Sequence, residues 1–383
     1  MNKIEELIEK LCPDGVEFRE LGDIGKVCMC KRVMKHETAK VGEIPFFKIG
    51  TFGKEPDAYI SRELYENHIK KYSFPKKGEI LISASGTIGR IVIYNGEPAY
   101  FQDSNIVWIA NDESIVINKF LSYYYKIVEW KIDGGTISRL YNDNLAKTKI
   151  PIPPLPIQQE IVNILDSFTQ LEAELEAELE ARKKQYEYYR NDLLNFEGKE
   201  VDWKTINEIA FVVTGGEAPA NCIKSLLPNE TYKYPIFANG SEVYGYTDNY
   251  KINKDSVTIS SIGANTGTIY YRKAFFTPII RLKVLLPRTA DLSAKYLFYY
   301  LSSITITSKK SSVPNLNADD VKKLKIPIPP LAEQERIVTM LDKFDALVND
   351  TSMGLPAEIQ ARRKQYEFYR GRLLDFKNVN AVN

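Results

Sequence analysis

Histidine and cysteine are scarce in this 383-residue chain, and their positions exclude a good deal. The two histidines, His36 and His68, do not cluster with the four cysteines Cys12, Cys28, Cys30 and Cys222, and no Cys-x-x-Cys pair occurs. That spacing argues against a metal site, so none is expected, and unpaired thiols fit a reducing, cytoplasmic setting. No apolar run is long enough to span a bilayer. "MNKIEELIEKLCPDGVEF" places acidic residues where a secretory leader needs a basic start and an apolar stretch. A charge of one sign is also missing, since the net charge is +1. The distribution is less even: residues 157–200 hold 5 basic and 11 acidic side chains, whereas residues 201–331 hold 16 and 10. A balanced total therefore conceals a basic third block.

Active-site signatures are absent too. "SGTIGR" and "GANTGT" lack the lysine of a phosphate-binding loop and read as hairpin turns. "IPPL" has neither the polar residue nor the aromatic of an adenine-methyltransferase loop, and Glu129-Trp130-Lys131 has no matching aspartate for a nuclease. Two histidines leave little room for a Ser-His-Asp arrangement. The expected catalytic residues are none.

What is present is a repeat. "IPIPPLPIQQEIVNILDSF" from Ile150 returns as "IPIPPLAEQERIVTMLDKF" from Ile326, with 13 of 22 positions identical over Ile150–Leu171. "ARKKQYEYYRNDLLNF" from Ala181 returns from Ala361 with 11 of 16 identical. The offsets are 176 and 180, so the second copy carries four extra residues between its blocks. Duplication on this scale sets the organisation of the chain.

From Ile157 to Phe196 there is neither Gly nor Pro. Apolar residues fall at Ile161, Leu165, Phe168, Leu175, Leu179, Tyr186, Tyr189 and Leu193, with Glu172 and Arg182 completing an alternating 3–4 spacing. That is the seam of a helix packed lengthwise on another, about 57 Å long at 1.5 Å per residue. The second copy repeats the seam at Ile337, Leu341, Phe344 and Val348, breaks at Gly354 and Pro356, and resumes through Tyr366, Tyr369 and Leu373. The alternate prolines of "IPIPPL" force an extended entry to each helix.

The segments between the helices hold short β-branched runs punctuated by Gly and Asn. Examples are "IPFFKIG", "EILISASGTIGRIVIY" and "NIVWIA", then "YPIFANG", "SVTISSIGANTGTIYY" and "RLKVLLP". Each segment ends in a tyrosine-rich piece of helical character, "FLSYYYKIV" or "YLFYYLSSI". The expected fold is mixed α/β (α+β). The division is a first domain over 1–149, a Pro-rich entry and helix over 150–197, a second domain over 198–325, and a helical region over 326–383.

Lysines beside aromatic and hydroxyl side chains suit phosphate contacts, and Arg, Asn and Gln reach base edges. The first domain offers Lys70, Lys71, Tyr72, Lys76 and Lys77 in "HIKKYSFPKKGE", and Ser83, Ser85, Thr87 and Arg90 in its hairpin. The second offers Asn239, Ser260, Ser261, Asn265 and Thr266, with Arg272 and Lys273 in "YYRKAFF" and the pair Lys309-Lys310. These are the candidate DNA contacts.

The motifs "LCPDGVEFRELGDI", both "IPIPPL" stretches followed by Gln158 and Gln334, "LEAELEAELEARKKQYEYYR" and "GLPAEIQARRKQYEFYR" run in order through the whole chain. In them the chain resembles the specificity (S) subunits of type I restriction–modification systems. The resemblance implies two target recognition domains, each reading half of a split site in double-stranded DNA. It implies two conserved helices packed as an antiparallel coiled coil with pseudo-two-fold symmetry, which set the spacer. Two methyltransferase (M) subunits would dock on the helices, through Gln158, Tyr186, Tyr189 and Arg190 and their counterparts Gln334, Tyr366, Tyr369 and Arg370. Motor-nuclease (R) subunits would complete the restriction enzyme. The chain itself would be non-catalytic and carry no cofactor; S-adenosylmethionine, ATP and Mg would sit on the partner subunits. Two other readings stay open: a recognition module fused to an enzyme, against which the missing motifs count, and a coiled-coil scaffold or other bipartite DNA-binding adaptor. A salt-dependent DNA shift separates the scaffold from the DNA-binding readings.

Overall fold

The computed structural model describes residues 2–132, 138–304 and 316–379. It divides into two units, Met1–Glu174 with Gln360–Asn383, and Leu175–Ile359.

In the first unit, alternating apolar runs build a four-stranded antiparallel sheet in the order Gly25–Met29, Ile106–Asn111, Ile80–Ser83, Ile91–Ile93. Its central strands are covered on both faces, which is why "ILIS" and "IVWI" read as continuous apolar runs. One face packs on the helix Asn118–Tyr124 through Phe120 and Leu121, and the other faces a cluster with Phe52, Tyr100 and Trp108. A second sheet orders Tyr59–Ile60, Ile44–Phe47 and Tyr100–Phe101, the last pair parallel. The helix Asn2–Leu11 buries Ile4 in the first cluster. Val16 is bridged in parallel to Asn378, and its N–H donates to the Lys377 carbonyl. Gly15 makes this approach feasible: at φ +111 a Cβ there would lie 2.3 Å from the Lys377 oxygen.

The second unit repeats the topology. Its main sheet runs Ala210–Thr214, Lys283–Pro287, Ser256–Ile259, Ile269–Arg272, again antiparallel throughout. Its second sheet orders Cys222–Ile223, Val243–Thr247, Tyr234–Phe237 and Thr277–Pro278, the last pair again parallel. The helix Ala294–Ser303 packs on the main sheet through Tyr296, Leu297 and Leu301, in the role of Asn118–Tyr124. The second tyrosine-rich piece is thus helical through Ser303, and the first through Tyr124, after which it turns.

"KIPI" is extended both times: Lys149–Ile152 pairs antiparallel with Glu17–Glu20, and Lys325–Ile328 with Asp202–Thr205. Beyond it the helix Leu155–Leu193 spans 39 residues. The seam positions read from the 3–4 spacing are buried or half-buried, and most others are exposed. In the first unit this helix runs antiparallel to the later part of Leu355–Leu374. Phe168 stacks on Tyr369 at 5.5 Å between ring centroids, and Glu172 accepts from Arg363 Nε at 2.5 Å. In the second unit Tyr186 and Tyr189 both lie on Phe344 of the helix Leu331–Asn349, at 6.2 and 5.4 Å. Gly354 stands in the break before Leu355, where a Cβ would meet the Ala346, Asp350 and Leu347 carbonyl oxygens at 2.5–2.8 Å.

Candidate nucleic-acid interface

In each unit the hairpin singled out from the sequence closes the same end of the main sheet. Ser83 N donates to Arg90 O and Gly89 N to Ser83 O; in the second unit Ser260 N donates to Thr268 O and Gly267 N to Ser260 O. The serines at the base face inward. Ser83, Ser260 and Ser261 are buried, and their hydroxyls donate to Thr87 O, Asn239 O and Arg281 O. Expected as DNA contacts, these three shape the loops from within. Ser85 donates to Asn105 Oδ1, and the Arg90 guanidinium to Phe52 O, so both brace the first loop. Asn239 is a hub rather than a reaching side chain. Its Nδ2 donates to Ile280 O at 2.6 Å, and its Oδ1 accepts from Ser261 N at 2.7 Å. Thr87 and Asn265 stand exposed on the loops, and Thr266 donates to Gly263 O.

Beside each hairpin lies a turn that no sequence signal marked. Three residues past the strand Tyr100–Phe101, Ser104 has φ +52; three residues past Thr277–Pro278, Arg281 has φ +58, and Ile280 before it has φ +50. Leu282 N donates to Ile279 O, closing a turn with positive φ at both central residues. Such turns call for Asn-Gly, and L-residues in this region cost about 1–2 kcal/mol each. A β-branched residue there is a genuine outlier. The surroundings hold it in place: Ile280 N donates to Gly216 O, Arg281 N to Gly215 O, Asn239 Nδ2 to Ile280 O, and Ser261 Oγ to Arg281 O. Ile280 is 44% exposed and Arg281 is also exposed.

The basic loops fall elsewhere. Lys76 and Lys77 precede the strand Ile80–Ser83, whereas the hairpin follows it, so four strand residues, about 13 Å, lie between them. Lys70, Lys71 and Tyr72 are exposed at the end of the helix Arg62–Lys71, and Lys31 lies over the Tyr72 ring at 5.1 Å. Lys273 likewise follows the far end of its strand, paired to Asp255 at 3.2 Å. Burial alone would raise the Asp255 carboxyl, but donors from Tyr271, Ala274 and Lys273 outweigh it and hold the group below its usual range. Arg272, also expected as a DNA contact, points inward. It is 8% exposed, its guanidinium lies 3.8 Å from the Phe237 ring centroid and 4.8 Å from that of Tyr270, and its Nη atoms donate to Gly240 O and Ser241 O. Burial lowers its pKa to about 10, leaving it a charged clamp on the 239–242 turn. Lys309 and Lys310 lie outside the described residues.

The helix residues sort in the same way. Gln158 and Gln334, expected as docking positions, are each 0% exposed and act as internal pins. Gln158 Oε1 accepts from Ile117 N, and its Nε2 donates to Ile115 O and Pro153 O at 3.0 and 2.7 Å. Gln334 Oε1 accepts from Ser293 N, and its Nε2 donates to Asp291 O and Pro329 O, both at 2.9 Å. Every partner is displaced by 176 residues. So are the next contacts: Tyr123 hydroxyl and Lys119 on Asp166, Tyr299 hydroxyl and Lys295 on Asp342. Tyr186, Tyr189, Tyr366 and Tyr369 are half-buried in the helix packing, where burial, then nearby Asp345, pushes the Tyr186 hydroxyl up to about 12. Arg190 and Arg370 cover the rings of Tyr186 and Tyr366 at 5.8 and 5.3 Å. The side chains left out in solvent are Tyr188 and Phe368, 68% and 63% exposed at equivalent positions of the repeat. "YEYYR" and "YEFYR" contain them, but only packing distinguishes the outer ring from the inner two.

Among the described residues no three His, Cys, Asp or Glu side chains group as a metal site. Among the described residues no helix is long and apolar enough to cross a membrane. The family described as the type I restriction modification DNA specificity domain matches residues 13–181 and 199–361. The chain belongs to that family. This specificity chain is 35% identical over 303 residues to the type I restriction enzyme EcoR124I/EcoR124II specificity subunit of Escherichia coli, covering 71% of this chain and 74% of the relative. It is 63% identical over 182 residues to a type I restriction enzyme specificity subunit of Haemophilus influenzae, a match that spans 46% of this chain and 47% of the relative. In fold it is similar to the type I restriction–modification S subunit of M. genitalium, with TM-score 0.59 and 17% identity over 94% of this chain and 96% of that one. The mixed α/β fold with two matched domains is that of the family.

Proposed function

We propose that each α/β domain reads one half of a bipartite site in duplex DNA, and that the helices set the unread gap and dock two methyltransferase subunits. The chain directs their adenine methylation and, with motor-nuclease subunits, restriction; it does no chemistry itself. S-adenosylmethionine, ATP and Mg belong to those partners. The supporting observation is the repeated anchor: identical buried contacts at an offset of 176 carry two domains whose hairpins, "SASGTIGR" and "SSIGANTG", differ. A fixed frame with variable tips suits a protein whose partners stay constant while its target changes. Exchanging residues 198–325 for the same segment of another family member should change one half of the methylated motif and leave the other half intact. Change in both halves, or in neither, contradicts the modular reading.

The exposed rings supply the second expectation. A large aromatic in solvent is a common interface anchor, and the repeat provides one per half, as two identical partners would require. Tyr188→Ala with Phe368→Ala should weaken assembly with the M subunit by about tenfold or more per site while leaving the melting temperature unchanged. Titration of the variant chain with M by sedimentation measures this, and full assembly would show that the rings are ordinary surface.

A further inference from the structure

We propose that Arg281, carried on the strained Ile280–Arg281 turn, reads a guanine within the half-site of the second domain. This rests on the reading of that domain as a DNA half-site reader. The observation is a backbone held where glycine belongs. Both residues have positive φ, and four hydrogen bonds fix the turn: its N–H groups donate to Gly216 O and Gly215 O, and its carbonyls accept from Asn239 Nδ2 and Ser261 Oγ. Strain of this kind persists where the surroundings over-determine it, and it gathers at functional positions. Here it aims a side chain. Among the described residues the Arg281 guanidinium makes no ion pair and no hydrogen bond, so its five donors face solvent from a rigid base. No carboxylate answers it; the nearby ammonium of Lys283, buried and hydrogen-bonded to Thr214 Oγ1, has its pKa lowered by burial and then by Arg281.

A lone cation of this sort seeks an acceptor, and two features favour a base edge over a phosphate. Phosphate contacts carry no sequence information, whereas a guanidinium on a pre-positioned backbone can donate to guanine O6 and N7 together. The neighbouring exposed side chain is Ile280, which suits the apolar parts of a base edge and not the sugar–phosphate rail. The first domain has its own left-handed residue at the same station, Ser104, where Asp103 is paired to Arg32. There a single left-handed residue sits in a tighter turn, closed by Asn105 N on Asp103 O, so the two domains place different turns and different side chains beside their hairpins.

The test uses the full chain assembled with its methyltransferase partner, and maps methylated motifs across the host genome. Arg281→Gly removes the guanidinium and suits the positive φ, so the variant should melt no lower than the parent. Its second half-site should lose preference at one guanine, a relaxation of about ten- to a hundredfold, with the first half-site unchanged. Arg281→Lys, keeping charge without the fork, should also relax that position. An unchanged motif with Arg281→Gly overturns the inference. So does a uniform fall in affinity with a salt slope smaller by about 1, which marks a phosphate contact, and so does weaker assembly with M at an unchanged motif. If exchange of residues 198–325 alters one half-site but Arg281→Gly does not, only this inference fails; if the exchange alters nothing, the reading beneath it fails.

Discussion

Replacing Gln158 by Ala should destabilise the first unit by about 3 kcal/mol or more, and Gln334→Ala should do the same to the second. Each amide is itself fully buried and satisfies one backbone N–H and two carbonyls. Truncation leaves three backbone groups without this partner, at about 1–3 kcal/mol for each that stays out of water, and the Pro153 and Pro329 carbonyls sit in fully buried bonds. Against a total of about 5–15 kcal/mol for a domain this is a large share. Gln158→Glu separates hydrogen bonding from shape. The carboxylate would face two carbonyl oxygens, so its folded-state pKa must rise above the unfolded value. The protonated acid is then tolerated at low pH, and the stability deficit grows as pH rises past the ordinary carboxyl range. Urea unfolding at acid and neutral pH measures both effects. A loss under 1 kcal/mol for Gln158→Ala would mean that water replaces the amide and that the pin is dispensable.

These glutamines show where sequence reasoning reached and where it stopped. Their recurrence marked them as important, but periodicity within "PIQQE" and "LAEQE" does not say whether a polar residue faces in or out. Burial came from the Pro-ended strands, whose carbonyls need a donor that proline cannot supply. The helical seam was legible because a 3–4 spacing over nine turns admits one packing face. The strands were legible because their apolar runs are short and bounded by turn residues. Two site features were not. Lysines 70–77 and the hairpin from Ser83 are close in sequence, yet a strand runs between them and places them at opposite ends. "IIRL" gives no turn signal, since Ile and Arg stand where Asn and Gly are expected; only long-range bonds with Gly215, Asn239 and Ser261 impose the left-handed backbone.

Inserting one Leu-Glu-Ala-Glu unit after Glu174 should preserve both half-sites and lengthen the unread gap between them. In "LEAELEAELEA" the leucines Leu171, Leu175 and Leu179 are half-buried, whereas Glu174, Glu176, Glu178 and Glu180 are exposed. Arg182 pairs with Glu178, and Lys183 with Glu180, along the same helix. Exposed pairs of this kind contribute only a few tenths of a kcal/mol, so a change in their number has little effect on stability. Glu174 is the last residue of the first unit in this stretch, so an insertion there leaves both domain cores untouched. A four-residue insertion in a 3–4 seam is a stutter, which unwinds the packing locally without breaking it. It adds about 6 Å of rise and about 40° of rotation. One base pair advances the duplex by about 3.4 Å and about 34–36°. The rotation matches a single base-pair step, and the surplus length is taken up by slight bending, so the expected change is one base pair. Deleting a unit should shorten the gap by the same step. Genome-wide mapping of methylated adenines in both variants reads the gap directly. Full activity at the parental spacing would show that the tract is only a solvated helix, whereas two intact half-sites at a shifted spacing would make it the ruler of the site.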